Sequence, residues 1–220
     1  MAAECLARFN KINLTYLFHL HTHYTDGLPS VRDYFAFAKS QGIAKVIFLE
    51  HIRKDPNFDV GKFVDDIRQC SDLFEIEGVV GFEAKILPEG ELDIRDEHIS
   101  LAEFIGIAEH HFPLDEHHLV NAFGDILDKY LPRWNEKKFV WVHPGLWFQR
   151  QGALDSEAYE NMFQLALQSG VVLECNFRHS LPNKVGLDWP SEKVIAGLDA
   201  HSLEDVRRFY GEMLRGIYER

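Results

Sequence analysis

Cysteine is scarce in this chain of 220 residues: Cys5, Cys70 and Cys175 are the full set. An odd, widely spaced trio with no CxxC pair argues against a disulfide framework and for a reducing compartment, so a cytoplasmic location is expected. Long hydrophobic runs are missing as well. No stretch approaches the roughly 18 apolar residues of a membrane span, and Met1 to Asn10 carries Glu4 and Arg8 without the apolar core of an export signal. No membrane partner is therefore expected. Positive charge is in deficit: 23 Lys and Arg against 35 Asp and Glu leave a net charge of -12. That balance argues against nucleic acid as a partner, because phosphate binding relies on clustered cations that release counterions. Linkers, low-complexity tracts and repeats are also lacking. With 46% hydrophobic residues the length suits one core, and residues 1–220 read as a single domain.

What the chain does contain is a recurrent placing of imidazoles and carboxylates where apolar runs stop. His19-Leu20-His21 ends the run from Leu14, and Asp199-Ala200-His201 follows Val194 to Leu198. In a strand, residues i and i+2 share a face, so each triplet aims two metal-competent side chains at one spot. Glu50-His51 follows Val46 to Leu49, Glu83 follows Val79 to Phe82, Glu109-His110-His111 follows Phe104 to Ala108, and His143 follows Phe139 to Val142. A lone His-x-His is weak evidence of chemistry. Eight of these side chains, His19, His21, His51, Glu83, His110, His143, Asp199 and His201, at successive strand ends are hard to explain as packing.

The intervening segments read as helices. Ser30 to Gln41 closes on Gly42, Asp59 to Phe74 turns Phe63, Ile67 and Leu73 inward, Asp115 to Leu131 stops at Pro132, and Ser156 to Ser169 closes on Gly170. Ser202-Leu203-Glu204-Asp205 looks like a capping-box start for a terminal helix. His98, His117 and His118 sit in polar stretches and are expected to face solvent. Some seven alternating strand and helix units favour an α/β fold with parallel strands inside helices. Candidate ligands gathered at the C-terminal ends of strands suit the rim of a β/α barrel.

The segment His19-Leu20-His21-Thr22-His23-Tyr24-Thr25-Asp26-Gly27 resembles the HxHTxxSDG opening of the PHP (polymerase and histidinol phosphatase) superfamily, with Thr25 in place of the usual Ser. Glu50-His51, Gly81-Phe82-Glu83, His110, His143-Pro144 and Asp199-Ala200-His201 agree in order, so the resemblance spans roughly residues 14–205. It implies a distorted seven-stranded (β/α)7 barrel of the PHP type with a trinuclear site. Position by position, it puts His19, His21, Glu83 and Asp199 on one metal, Glu83, His110 and His143 on a second, and Asp26, His51 and His201 on a third. His110 and His111 compete for one place, and the family's offset from Phe104-Ile105 favours His110.

Mixed imidazole and carboxylate ligation suits two or three divalent ions of Zn, Mn or Fe. Such ions lower the pKa of a water, polarise a phosphoryl oxygen and stabilise the leaving oxygen. The expected function is therefore a metal-dependent phosphoesterase acting on a small phosphorylated substrate, with histidinol phosphate as one example. Glu83 and Asp26 are the expected catalytic carboxylates, and His23, two residues past His21, is a candidate proton donor. A phosphate also needs a cationic clamp, for which Arg178, beside Cys175-Asn176 at a strand end, comes first and Arg53 second. Asn176 and Glu174 share a strand face, so one of them is a candidate to steady the ligands, and Asn176 joins Arg178 and Arg53 as a candidate substrate-binding residue. Two other readings compete: an amidohydrolase or TatD-type hydrolase or nuclease, whose barrels also open with His-x-His, and a non-catalytic metal-binding scaffold.

Overall fold

The computed structural model describes residues 15–182 and 189–218. The strands are β1 (Tyr16–Leu20), β2 (Lys45–Phe48), β3 (Glu50–Ile52), β4 (Glu77–Val79), β5 (Gly81–Leu87), β6 (Glu91–Leu92), β7 (Phe104–Ala108), β8 (Lys138–Trp141), β9 (Val172–Asn176) and β10 (Val194–Gly197). The helices are α1 (Val31–Gln41), α2 (Val60–Phe74), α3 (Asp96–Leu101), α4 (Glu116–Arg133), α5 (Leu146–Gln151), α6 (Glu157–Ser169) and α7 (Leu203–Tyr218). Leu49 interrupts what is otherwise one strand into β2 and β3, and Val80 does the same between β4 and β5. β1 pairs with β2 and β2 with β4, while β3, β5, β7, β8, β9 and β10 run side by side. All these pairs are parallel, and only the short β6 lies antiparallel, against β5. Beyond the ladders, the Leu198 and Ala200 amides donate to Phe18 and His19 carbonyls, each at 3.0 Å, and the His21 amide donates to Ala200. The result is a mostly parallel sheet of about seven strands with a barrel-like course.

Two apolar layers follow from the alternation of side chains along the strands. Leu17, Phe48, Phe82, Ile105, Trp141, Leu173 and Ala196 face the helices, meeting Tyr34, Phe35, Phe63, Phe123 and Phe163. Phe18, Ile47, Leu49, Val79, Phe104, Ala108, Val140 and Val142 form a second buried cluster, from the strands and the residues adjoining them, with no helix residue in it. Helix ends agree with their sequence signals. Ser30 and Asp33 form a reciprocal capping box at α1, Asp59, Asp115 and Ser156 cap α2, α4 and α6, and Gly42 and Gly170 take the left-handed conformation after α1 and α6.

Several expectations fail for local reasons. Leu73 is 59% exposed, because the inward stripe of α2 passes through Phe63, Ile67, Cys70 and Phe74 at steps of three and four and leaves Leu73 to one side. Pro132 does not stop α4, which runs on to Arg133; in the last turn the ring removes one donor without ending the spiral. His98 is buried on α3, a helix the hydrophobic pattern does not announce, whereas His117 and His118 are exposed. Cys70 is a free thiol, but Cys175 is disulfide-bonded, contrary to the expectation of reduced cysteines. No described helix is long and apolar enough to cross a membrane.

Candidate metal centre

His19 does not reach the helix-free face by simple alternation. Leu17 faces the helices and Phe18 the interior, so an unbroken strand would turn His19 and His21 outward. The β1–β2 register slips between Phe18 and Leu20, and His19 takes φ 67°. This bulge sends Leu20 back to the helices and turns both imidazoles inward. His143 repeats the device: Val142 is interior, and a φ of 32° prevents His143 from continuing to the outer layer. Asp199 has φ 51°. Non-glycine residues in this region cost on the order of 1–3 kcal/mol each, and such strain gathers at functional sites. Glu83 needs no such device, since it lies on the interior face of β5 between helix-facing Phe82 and Ala84.

The side chains converge on Glu83. Its Oε2 lies 3.0 Å from His19 Nε2 and 3.5 Å from both His21 Nε2 and His51 Nδ1, and its Oε1 lies 3.3 Å from His143 Nε2 and 3.7 Å from His110 Nδ1. Asp199 Oδ1 stands 3.4 Å from His21 Nε2 and 3.6 Å from His201 Nδ1. Asp26 bridges His51 at 3.5 Å and His201 at 3.4 Å. Three sets of ligand atoms lie close enough together to share an ion: His19, Glu83 and His143; His19, His21 and Asp199; and His21, Asp26, His51 and His201. Asp26, His51, Glu83, His143, Asp199 and His201 of these sets line a cavity of about 250 Å³, and His19 and His21 do not line it.

Buried carboxylates hold this array from behind. Glu174 is 2.6 Å from His19 Nδ1 and accepts from the His143 amide and Asn176 Nδ2. Glu50 accepts from the Thr22 amide and from the Thr22 and Thr25 hydroxyls, fixing the turn that carries Asp26. Glu109 accepts from Trp141 Nε1 and the Gly145 amide, steadying the chain on either side of His143. Tyr34 donates to the His21 and Ala200 carbonyls and so ties the two ends of the array together.

The electrostatics fit cation binding. Burial opposes ionisation of Glu83, yet the imidazoles of His51, His143 and His19 outweigh it and hold its carboxyl well below the ordinary range. The same balance, with His19, His179 and His21, keeps Asp199 low. Burial would lower His21, but Asp199 and Glu50 lift it to about 9. His110, buried beside His143 and far less well paired, falls to about 2 and so offers a neutral lone pair. Both ring nitrogens of His21, and Nδ1 of His110 and His143, are buried with no hydrogen-bond partner. Orphaned polar atoms of this kind carry a desolvation penalty that a bound ion would remove. The residues therefore fit divalent metal.

All nine candidate ligands named from the sequence lie in this array. His110 points a ring nitrogen at Glu83, and His111 stands on the cavity wall next to it. Arg178 borders the cavity, with Nη1 3.0 Å from both the Asp199 carbonyl and His201 Nδ1. The other proposed contacts do not line the cavity. His23 is exposed, its ring against Tyr24 and off the cavity wall. Arg53 is turned to Asp93 and its neighbour's carbonyl. Asn176 is buried beneath the site, holding Glu174 and capping the His179 amide. Two cavity residues escape the sequence pattern: His179, whose Nε2 is 3.1 Å from Asp199 Oδ2, and Arg150 on α5, which donates to the His110 carbonyl. Neither follows an apolar run, and the one available signal for His179 is its closeness to Arg178.

Residues 18–170 match the family model of the PHP domain. No curated protein matches the chain.

Proposed function

The chain belongs to the PHP domain family, and from that premise we propose that it is a phosphoesterase that hydrolyses a small organic phosphate monoester with two or three divalent ions of Zn, Mn or Fe. The observation that carries the reading is the pair of buried, unpartnered imidazole nitrogens, His21 Nε2 and His110 Nδ1, 3.5 and 3.7 Å from the Glu83 carboxylate that His19 and His143 share. His19, His21, Glu83 and Asp199 would hold one ion, Glu83, His110 and His143 a second, and Asp26, His51 and His201 a third, with His21 close to the last group as well. Bound ions would supply positive charge to the phosphoryl oxygens and acidify a water.

The chain's own groups account for the rest. The cavity of about 250 Å³ has room for a phosphoryl group and part of its leaving group. Arg178, anchored through one nitrogen to the Asp199 carbonyl, keeps its remaining donors for phosphate oxygens. His179, against Asp199, is placed to hold at Nε2 the proton that the departing alkoxide takes. His23, on its exposed perch, takes no part in this scheme.

Protein reconstituted with Mn or Zn is expected to hydrolyse p-nitrophenyl phosphate, with elemental analysis reporting the ions held. Glu83→Ala should lose bound metal and depress kcat beyond the ~10–100-fold that removal of a supporting partner costs. A fully metal-loaded wild type inert toward both p-nitrophenyl and bis-p-nitrophenyl phosphate would refute the proposal.

A further inference from the structure

Three cations gather beside His111 of the cavity wall, outnumbering the acids near them, Asp93 and the buried Glu83. Lys85 lies two residues beyond Glu83 on β5 and is partly buried. The β3–β5 register pairs His51 with Glu83 and Ile52 with Ala84, and its next step sets Arg53 beside Lys85. Arg150 reaches the same wall from α5 and spends one nitrogen on the His110 carbonyl. The charges of Lys85, Arg150 and Arg53 all act on the His111 ring between them. Of the three, Arg53 alone has a carboxylate in ion-pair range, Asp93 at 3.5 Å; Lys85 and Arg150 have none among the described residues. In a chain with a net charge of -12 that is an unusual allocation. Like charges side by side across a strand pair repel, and an anion bound among them would relieve the repulsion. Arg178 stands apart from this group, after β9, with β7 and β8 between it and Lys85 in the sheet order.

We propose that Arg53, Lys85 and Arg150 form a second anion subsite, so that the substrate is a phosphate ester whose leaving group carries a further phosphate or carboxylate. This rests on the phosphoesterase reading and narrows it. Arg178 and the metal-ligand array take the scissile phosphate, and the rim of Lys85 takes the far end of the leaving group. A leaving group bearing an ammonium, as in histidinol phosphate, meets repulsion at the same place.

The test compares four matched esters on the metal-loaded protein: hexyl phosphate, 6-phosphonooxyhexanoate, hexane-1,6-diyl bisphosphate and 6-aminohexyl phosphate. The two anionic tails are expected to exceed hexyl phosphate in kcat/KM by about tenfold, mostly through KM, with the ammonium tail below it; the order of the two anionic tails tells carboxylate from phosphate. Lys85→Met should shrink that preference and Lys85→Glu should invert it, with Arg150→Met as the second variant should either Lys85 change impair folding by circular dichroism. Equal kcat/KM for all four tails, or a preference unmoved in every folded variant, overturns the subsite. If none is turned over, the phosphoesterase reading fails, and calorimetric binding of the same four compounds still judges the rim: tighter binding of the anionic tails upholds it and equal binding rejects it.

Discussion

Glu174 carries no candidate ligand atom, yet it is the residue on which His19 and His143 both depend, through a ring nitrogen and an amide. The space for its carboxylate exists because position 197 is glycine: a Cβ there would lie 1.7 Å from Glu174 Oε1. Gly197→Ala should therefore displace the carboxylate and lower metal affinity by ~10–100-fold, as Glu174→Gln should. Metal titration checks this against unchanged secondary structure, and wild-type affinity in both variants would show that His19 needs no such support. The contrast with Asn176 is instructive. It shares the strand face with Glu174, as the i, i+2 rule requires, but serves as a strut beneath the site.

Among the elements, α2 has the limits its pattern predicts but leaves one apolar position, Leu73, outside its buried stripe. Its limits follow from Asp59 as cap and from the run to Phe74, but Leu73 lies off the stripe that Phe63 and Ile67 define. Phe63→Ala should cost about 3–5 kcal/mol of stability as a core truncation, and Leu73→Ala should stay within about 0.5 kcal/mol. Urea denaturation of the two variants separates them, and similar losses would place Leu73 back in the core. Strand β1 makes the complementary point. Its apolar pattern announces a strand, and its two histidines announce a site, but the bulge at His19 decides which face they share.

For the molecule as a whole, an array that packs imidazoles against buried carboxylates makes stability depend on its protonation. In chelated protein His21 is lifted from the ordinary 6.5 to about 9 by Asp199 and Glu50, against burial. A raised histidine contributes its stabilisation in full below 6.5 and loses it as pH rises toward 9. The urea midpoint of the chelated protein should thus fall across that window, while metal affinity climbs, because ions displace the same protons. A midpoint that holds level or rises from pH 6.5 to 9 would contradict the His21 pairing.

Strand and helix order, the caps at Ser30, Asp59, Asp115 and Ser156, and the candidate ligands His19, His21, His51, His110, His143, Asp199 and His201 could be read from the chain because each depends on near neighbours: side-chain period, turn chemistry, a polar residue where an apolar run stops; Glu83, by contrast, lies in the third place of β5 and not at a strand end. The hairpin at β6, the short helices α3 and α5, the inward turn of His19 and His143, and the arrival of His179 and Arg150 at the cavity wall were settled only by assembly. Those features rest on contacts such as that of His19 with Glu174, 155 residues away, and on backbone angles that a local pattern does not encode. Which strand lies beside which decides whether a lysine meets a carboxylate or another cation, and that neighbour exists only once the sheet has formed.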